Sequence, residues 1–171
     1  MKNSNNTEVF YQQLKSLWVI ESMLVQAMPQ MIVAANNLGL KKSLALHFSE
    51  TTQHKAAIEV ICKQLDVTIG LQDKDPGLKE ILQNAKELQA EAHGPLEIDA
   101  AIISAALEIE EYEQSVYPPA AEAALQSGYE GVAKRLFLTF EEERQADTKL
   151  RFLQTQLLGE RSGIGQLAEG R

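Results

Sequence analysis

The sequence predicts an all-α fold: an antiparallel four-helix bundle of two helical hairpins, with a short extra helix in the long crossover between helices 2 and 3. Three observations carry that prediction. Glu, Gln, Ala, Leu and Lys are abundant, and no alternating, strand-like run persists. Apolar residues recur at steps of three and four along four long segments. Turn formers gather at Asn36 to Gly39 and at Ser127-Gly128, midway through each half. At 171 residues the chain has the length of one domain. Residues 7–157 form the bundle, between a flexible N-terminus, 1–6, and a frayed C-terminal tail, 158–171, which has four Gly and little apolar content.

The first helix runs from about Thr7 to Ala35 and stops at Asn36-Asn37-Leu38-Gly39, a glycine-containing C-cap. Pro29 lies inside it and should kink it or free one backbone carbonyl. The second helix spans about Leu40 to Leu65. Asp66 to Gly77 reads as a connection, within which Asp75-Pro76 supplies the N-cap and first residue of the short helix, about Pro76 to Ala92. His93-Gly94-Pro95 ends it. The third long helix starts near Glu97, should break or bend at Pro118-Pro119, and closes at Ser127-Gly128. The fourth runs from about Glu130 to Leu157. Two hairpins joined by one long crossover make the ferritin-like variant of the four-helix bundle.

Composition narrows the function classes. Twenty-four acidic side chains face 16 Lys and Arg, a formal net charge of −8, which argues against a nucleic-acid binder. The single cysteine, Cys62, excludes an intramolecular disulfide, a Cys-based zinc site and a Cys-x-x-Cys redox pair. No apolar run approaches the roughly 18 residues of a membrane span. The polar stretch Met1 to Thr7 is not a signal peptide. The expectation is a soluble protein of the reducing cytoplasm.

The placement of the acids is informative. In the first helix Phe10, Leu14, Leu17, Glu21, Leu24, Met28 and Met31 make a core seam with a glutamate at its centre. In the second, Leu44, His47, Glu50, His54, Ile58, Ile61 and Leu65 follow the same stepping. Ile103, Ala106, Glu110, Glu113 and Tyr117 form the stripe of the third, and Leu136, Phe140, Glu143, Asp147 and Leu150 that of the fourth. Each long helix is apolar at its ends and ionisable at its centre. In antiparallel hairpins with turns near Gly39 and Gly128, these centres meet at one depth. Glu50 and His54, like Glu143 and Asp147, are four apart, about 40° around the helix and able to converge on one ion. Six carboxylates in a bundle core, with no Lys or Arg on the same stripes, are prohibitive if ionised and dry. Protonation relieves some of them; two divalent cations are the better rescue, supplying about four positive charges and satisfying oxygen and nitrogen lone pairs. Carboxylates with few imidazoles and no thiolate suit iron or manganese.

The motifs Leu17-Trp18-Val19-Ile20-Glu21, Ala27-Met28-Pro29-Gln30-Met31, His47-Phe48-Ser49-Glu50-Thr51, Ile109-Glu110-Glu111-Tyr112-Glu113 and Glu141-Glu142-Glu143-Arg144-Gln145-Ala146-Asp147 resemble those of the YciE/YciF-like family of ferritin-like proteins. That family is catalogued as a domain of unknown function, and the resemblance covers roughly Phe10 to Leu157. It implies a di-metal carboxylate centre with two iron ions, manganese being the alternative. Carried over, Glu21, Glu50, His54, Glu113, Glu143 and Asp147 are ligands and Glu110 a seventh, with Glu50 and Glu143 expected to bridge. The Glu-x-x-x-His pair of the second helix and Asp147 in the fourth depart from ferritins and rubrerythrins, which place Glu-x-x-His there. The resemblance also implies a bacterial stress-associated protein and a homodimer.

Such a centre reacts with dioxygen or peroxide, as a ferroxidase or a peroxide-detoxifying oxidoreductase. With no rubredoxin-like cysteines, its electron donor is external. The rival expectation is a non-enzymatic helical-bundle stress or interaction protein whose metal site is empty or degenerate. Tyr112, Tyr117 and Trp18 read mainly as core aromatics. His47 reads as a neighbour of the ligands, Cys62 as core and His93 as surface. With Glu21, Glu50, Glu110, Glu113, Glu143 and Asp147 interior, the formal charge of the remainder falls from −8 to −2. The case against nucleic acid then rests on the lack of a basic stripe.

Overall fold

A computed structural model describes residues 2–70 and 75–168. Five helices follow in order: α1 Lys2–Ala34, α2 Leu38–Gln64, α3 Pro76–Glu91, α4 Pro95–Gln126 and α5 Glu130–Ala168. No strand occurs among the described residues. α1 packs on α2 and α4, and α5 packs on α4 and α2, so these four close a ring; α3 lies against α4. Residues 71–74 of the expected connection, Met1 of the N-terminus and 169–171 of the tail lie outside the described residues. α1 and α5 run beyond the apolar pattern at their outer ends, to Lys2 and Ala168. Once nucleated, a helix propagates at one hydrogen bond per residue without needing a packed face.

The turns are built differently from the sequence expectation at one hairpin. Gly39 is not a C-cap but the second residue of α2. A side chain there meets Leu153 at 3.3 Å and Asn37 at 3.1 Å, so the glycine serves close approach rather than a left-handed turn. Asn37 caps α2 by accepting from the Leu40 N–H. Asp99, buried on α4, accepts from the Asn36 N–H at 2.6 Å and the Asn37 N–H at 2.8 Å. One carboxylate thus ties the first hairpin to the second. At the other hairpin Gly128 does take φ +86°, as a helix C-terminus requires. Asp75 caps α3 by accepting from the Leu78 N–H, and Tyr112 of α4 donates to the same carboxylate at 2.6 Å.

α1 and α4 are each assigned as one helix, through Pro29 and through Pro118-Pro119. The two α4 prolines withdraw the donors that would reach the carbonyls of Gln114 and Ser115. Ser115 is exposed and Gln114 half-buried, so both carbonyls lie on the outer side of the helix. One further expectation is corrected: Asn6–Ala34 is long and apolar enough to cross a membrane by length and composition. Glu21 is the lone charged residue between Ser16 and Ala34, and uncharged polar residues interrupt apolar runs while lowering mean hydropathy little. Half of this span's apolar window is buried in the protein, as in a core helix.

The core is divided. One apolar cluster gathers Leu24, Met28, Leu40, Leu44, Leu78, Ile102, Ile103 and Leu150. The other gathers Phe10, Leu14, Leu17, Ile58, Ile61, Tyr117 and Leu136. Between them, on all four ring helices, lies a layer of buried ionisable side chains.

Candidate metal centre

The layer contains Glu21 of α1, His47 and His54 of α2, Glu110 and Glu113 of α4, and Glu143 of α5, all at least nine-tenths buried. Helical stepping explains which residues enter it. The buried stripe of α4 steps through Ile103, Ala106, Glu110, Glu113 and Tyr117, as the sequence predicts. That of α2 runs Leu44, His47, Thr51, His54, Ile58, so the seam passes through Thr51 instead of Glu50. The Thr51 hydroxyl donates to the His47 carbonyl at 2.9 Å, which lets it be buried at little cost. On α5 the stripe is Leu136, Thr139, Glu143, Ala146, Leu150, and Asp147 falls beside it.

Two groups of possible ligand atoms result, each lying within 4.8 Å of one another. The first is His47, Glu110, Glu113 and Glu143; the second is Glu21, His54 and Glu143. His47 Nε2 is 3.1 Å from Glu110 Oε1 and 3.8 Å from Glu113 Oε2, while its Nδ1 is 3.7 Å from Glu143 Oε2. His54 Nδ1 is 2.9 Å from Glu143 Oε1 and 3.9 Å from Glu21 Oε1. Glu143 belongs to both groups and presents one oxygen to each histidine.

The donors fit a bound cation. Both oxygens of Glu110, Glu113 and Glu143, one of Glu21, both nitrogens of His47 and Nδ1 of His54 are buried without an aligned hydrogen bond. Buried polar atoms are rarely left so, and this many in one layer require protons or metal ions between them. His54 is oriented for ligation. Its Nε2–H donates to Glu142 at 2.8 Å, which turns Nδ1, the nitrogen a metal ion would take in place of a proton, toward Glu143 and Glu21. Tyr117 donates to Glu21 and sets its ring edge-on to His54.

Electrostatics in the metal-free layer follow from burial and crowding. Burial raises Glu21 to about 8, helped by Glu143 and opposed by His54 and Tyr117. Glu110 and Glu113 are raised well above the usual carboxylate range, by burial first and then by Glu143. Burial pushes His54 down, but the Glu143 bond and the Glu21 charge outweigh it and lift it to about 9. Burial likewise raises the Tyr117 hydroxyl. Protons hold the metal-free cluster together, and a divalent cation competes for the same atoms.

Of the seven residues singled out from sequence, Glu21, His54, Glu110, Glu113 and Glu143 meet. Glu50 and Asp147 lie at the edge. The Glu50 side chain is 29% exposed, and its Oε2 is 3.9 Å from His47 Nδ1. The His47 side chain holds its carboxyl below the usual range despite partial burial. Asp147 accepts from Arg151 at 2.8 Å with one oxygen, while the other is buried and unpartnered. His47 enters the cluster itself; its place on the α2 seam was the sequence signal for that. Trp18 donates outward to Glu59 and Tyr112 to Asp75, whereas Tyr117 touches the cluster.

These features define an all-helical protein with a buried histidine–carboxylate cluster able to hold metal ions. The chain belongs to the family described as Domain of unknown function (DUF892), matched over residues 5–162. It is 29% identical over 143 residues to protein YciF of Escherichia coli (strain K12), covering 84% of this chain and 86% of that one. The crystal structure of the E. coli stress protein YciF superposes with a TM-score of 0.82 at 27% identity, covering 90% of this chain and 97% of that one. YcfI from Rhodopseudomonas palustris matches with a TM-score of 0.79 at 25% identity, covering 85% and 92% of the two chains. The ferritin-like superfamily is consistent with this helical fold.

Proposed function

We propose that the ring is a ferritin-like four-helix bundle holding a di-iron carboxylate centre, which serves as a ferroxidase or peroxide-reducing site in a bacterial stress response. The convergence of unpartnered buried donors carries this reading. The likeness to the E. coli stress protein YciF supports the biological setting. Glu110, Glu113 and His47 would hold one ion, Glu21 and His54 the other, with Glu143 between them. This oxygen-rich, thiolate-free set suits iron or manganese. Iron bound there would supply one electron per ion to dioxygen or peroxide.

The chain's own residues do the rest. Glu142 keeps the His54 lone pair inward. Tyr117 fixes Glu21 by hydrogen bonding. The apolar clusters on either side exclude bulk water from the layer. Cys62 lies in the second apolar cluster and is the chain's lone thiol, so the electron donor is external. A cytoplasmic location and a homodimer complete the proposal. Exposed Phe137, Leu138 and Phe152 on α5 offer the dimer apolar surface.

Metal analysis of protein from iron-replete cells tests the first half; about two irons per chain are expected. Fe(II)-dependent consumption of dioxygen or peroxide, measured on the loaded protein, tests the second. Metal-free protein whose melting temperature ignores added Fe(II) supports the rival non-enzymatic helical bundle. Stoichiometric iron with no oxidant consumption retains the centre and refutes the activity.

A further inference from the structure

A cavity between α2 and α5 reaches the buried layer. This small space, about 10 Å³, is lined among others by Leu46, His47, Glu50, Glu110 and Lys149. It accepts about one water-sized body. Its outer wall is accessible: Leu46 is 50% exposed, the Glu50 side chain 29%, and Lys149 is exposed. Its inner wall is the first ligand group. Glu110 is fully buried there with both oxygens unpartnered, and both His47 nitrogens are unpartnered too. Glu50 spans the step, with its carboxylate oxygen 3.9 Å from His47 Nδ1. At the opposite end the half-exposed Glu142 carboxylate already holds the outer nitrogen of His54, and fully buried Tyr117 donates to Glu21.

We propose that this cleft is the route by which a divalent cation reaches the buried cluster, with Glu50 as the relay carboxylate at its mouth. The proposal rests on the di-metal reading above and adds a role for the residue that the seam leaves outside both groups. Glu50 takes the hydrated ion at the surface, replacing part of its water shell. It then passes the ion to His47 and Glu110 within the reach of one side-chain rotation. Lys149 stands beside the mouth as the opposing charge and sets how strongly cations gather there. A relay ligand differs from a resident one: it governs the rate of loading and leaves the final site unchanged.

The test uses the full chain, stripped of metal by chelation, with Co(II) as probe. Uptake is followed by stopped-flow absorption in the ligand-field bands. Glu50→Gln keeps the shape and removes the charge. At low ionic strength it should slow uptake by about tenfold or more, with cobalt per chain and the final spectrum unchanged. Lys149→Gln should speed uptake about two- to threefold. Leu46→Trp, at a half-exposed position that tolerates substitution, should slow uptake by covering the mouth without changing charge. A Glu50→Gln rate equal to wild type overturns the route. A Glu50→Gln protein with less cobalt or an altered spectrum also overturns the proposal, since Glu50 is then a resident ligand. Absence of cobalt uptake by the wild-type chain is a different result and overturns the metal centre itself.

Discussion

Replacing Glu143 by glutamine removes the one side chain shared by both ligand groups and leaves its shape. In the metal-free protein the change has two opposing parts. His54 loses the carboxylate 2.9 Å from its Nδ1, a charge contact worth at most the about 1.5–3 kcal/mol of a charged hydrogen bond. Against this, Glu143 is a source of the crowding that raises Glu21, Glu110 and Glu113, and that repulsion disappears. The two parts oppose, so net destabilisation should stay below about 3 kcal/mol. The metal-loaded protein responds differently. At one hundred times Kd a bound ion stabilises by about 2.7 kcal/mol, so two ions give about 5 kcal/mol. For a chain of this size that is a rise in Tm of about 10–20 °C. Glu143→Gln should abolish most of that rise, whereas His47→Ala or Glu21→Gln, each in one group, should keep about half. Differential scanning calorimetry with and without Mn(II) reads all of these directly. A Glu143→Gln protein that retains the full metal-induced shift would refute the shared-ligand reasoning.

Three further outcomes are expected. The metal-free protein should lose stability as pH rises from about 4.5 to 8, because folded Glu21 holds its proton to about 8 while the unfolded chain releases it near 4.5. His54, about 9 folded against 6.5 unfolded, extends the loss to pH 9. Urea unfolding in chelator at pH 5 and pH 8.5 should differ by a few kcal/mol, and equal or greater stability at pH 8.5 contradicts the protonated cluster. Asp99→Ala leaves the Asn36 and Asn37 amides unpaired and should cost about 3 kcal/mol in urea unfolding; a loss below about 0.5 kcal/mol would show that the turn does not need that anchor. Glu142→Ala frees the His54 ring and should weaken metal binding about 10- to 100-fold in isothermal titration at unchanged stoichiometry. Unchanged affinity would remove Glu142 from the site.

The hairpin positions, the Asp75-Pro76 helix start and the central polar layer were legible because each rests on local pattern. Caps need only neighbouring residues, and a glutamate inside an apolar seam is visible as a break in the period. The α1 and α4 seams follow from the same local pattern, and Glu21, Glu110 and Glu113 occupy their expected places. On α2 and α5 the pattern admits a step of three or of four at the critical point. Both steps lie close to the helical turn of 3.6 residues, so sequence periodicity does not separate Glu50 from Thr51, or Ala146 from Asp147. Asp99 gave no signal, since a lone acid on a helix is ordinarily solvated and its partners are backbone amides some 60 residues away.

The sequence by itself determined an all-helical chain with charge concentrated at the middle of four amphipathic faces, because helical period and side-chain polarity are properties of each segment alone. Only the tertiary structure decided which of those charges share an ion. Packing four helices selects one rotation for each, and that rotation turned His47 inward, set Glu143 between two histidines, and left Glu50 at the rim.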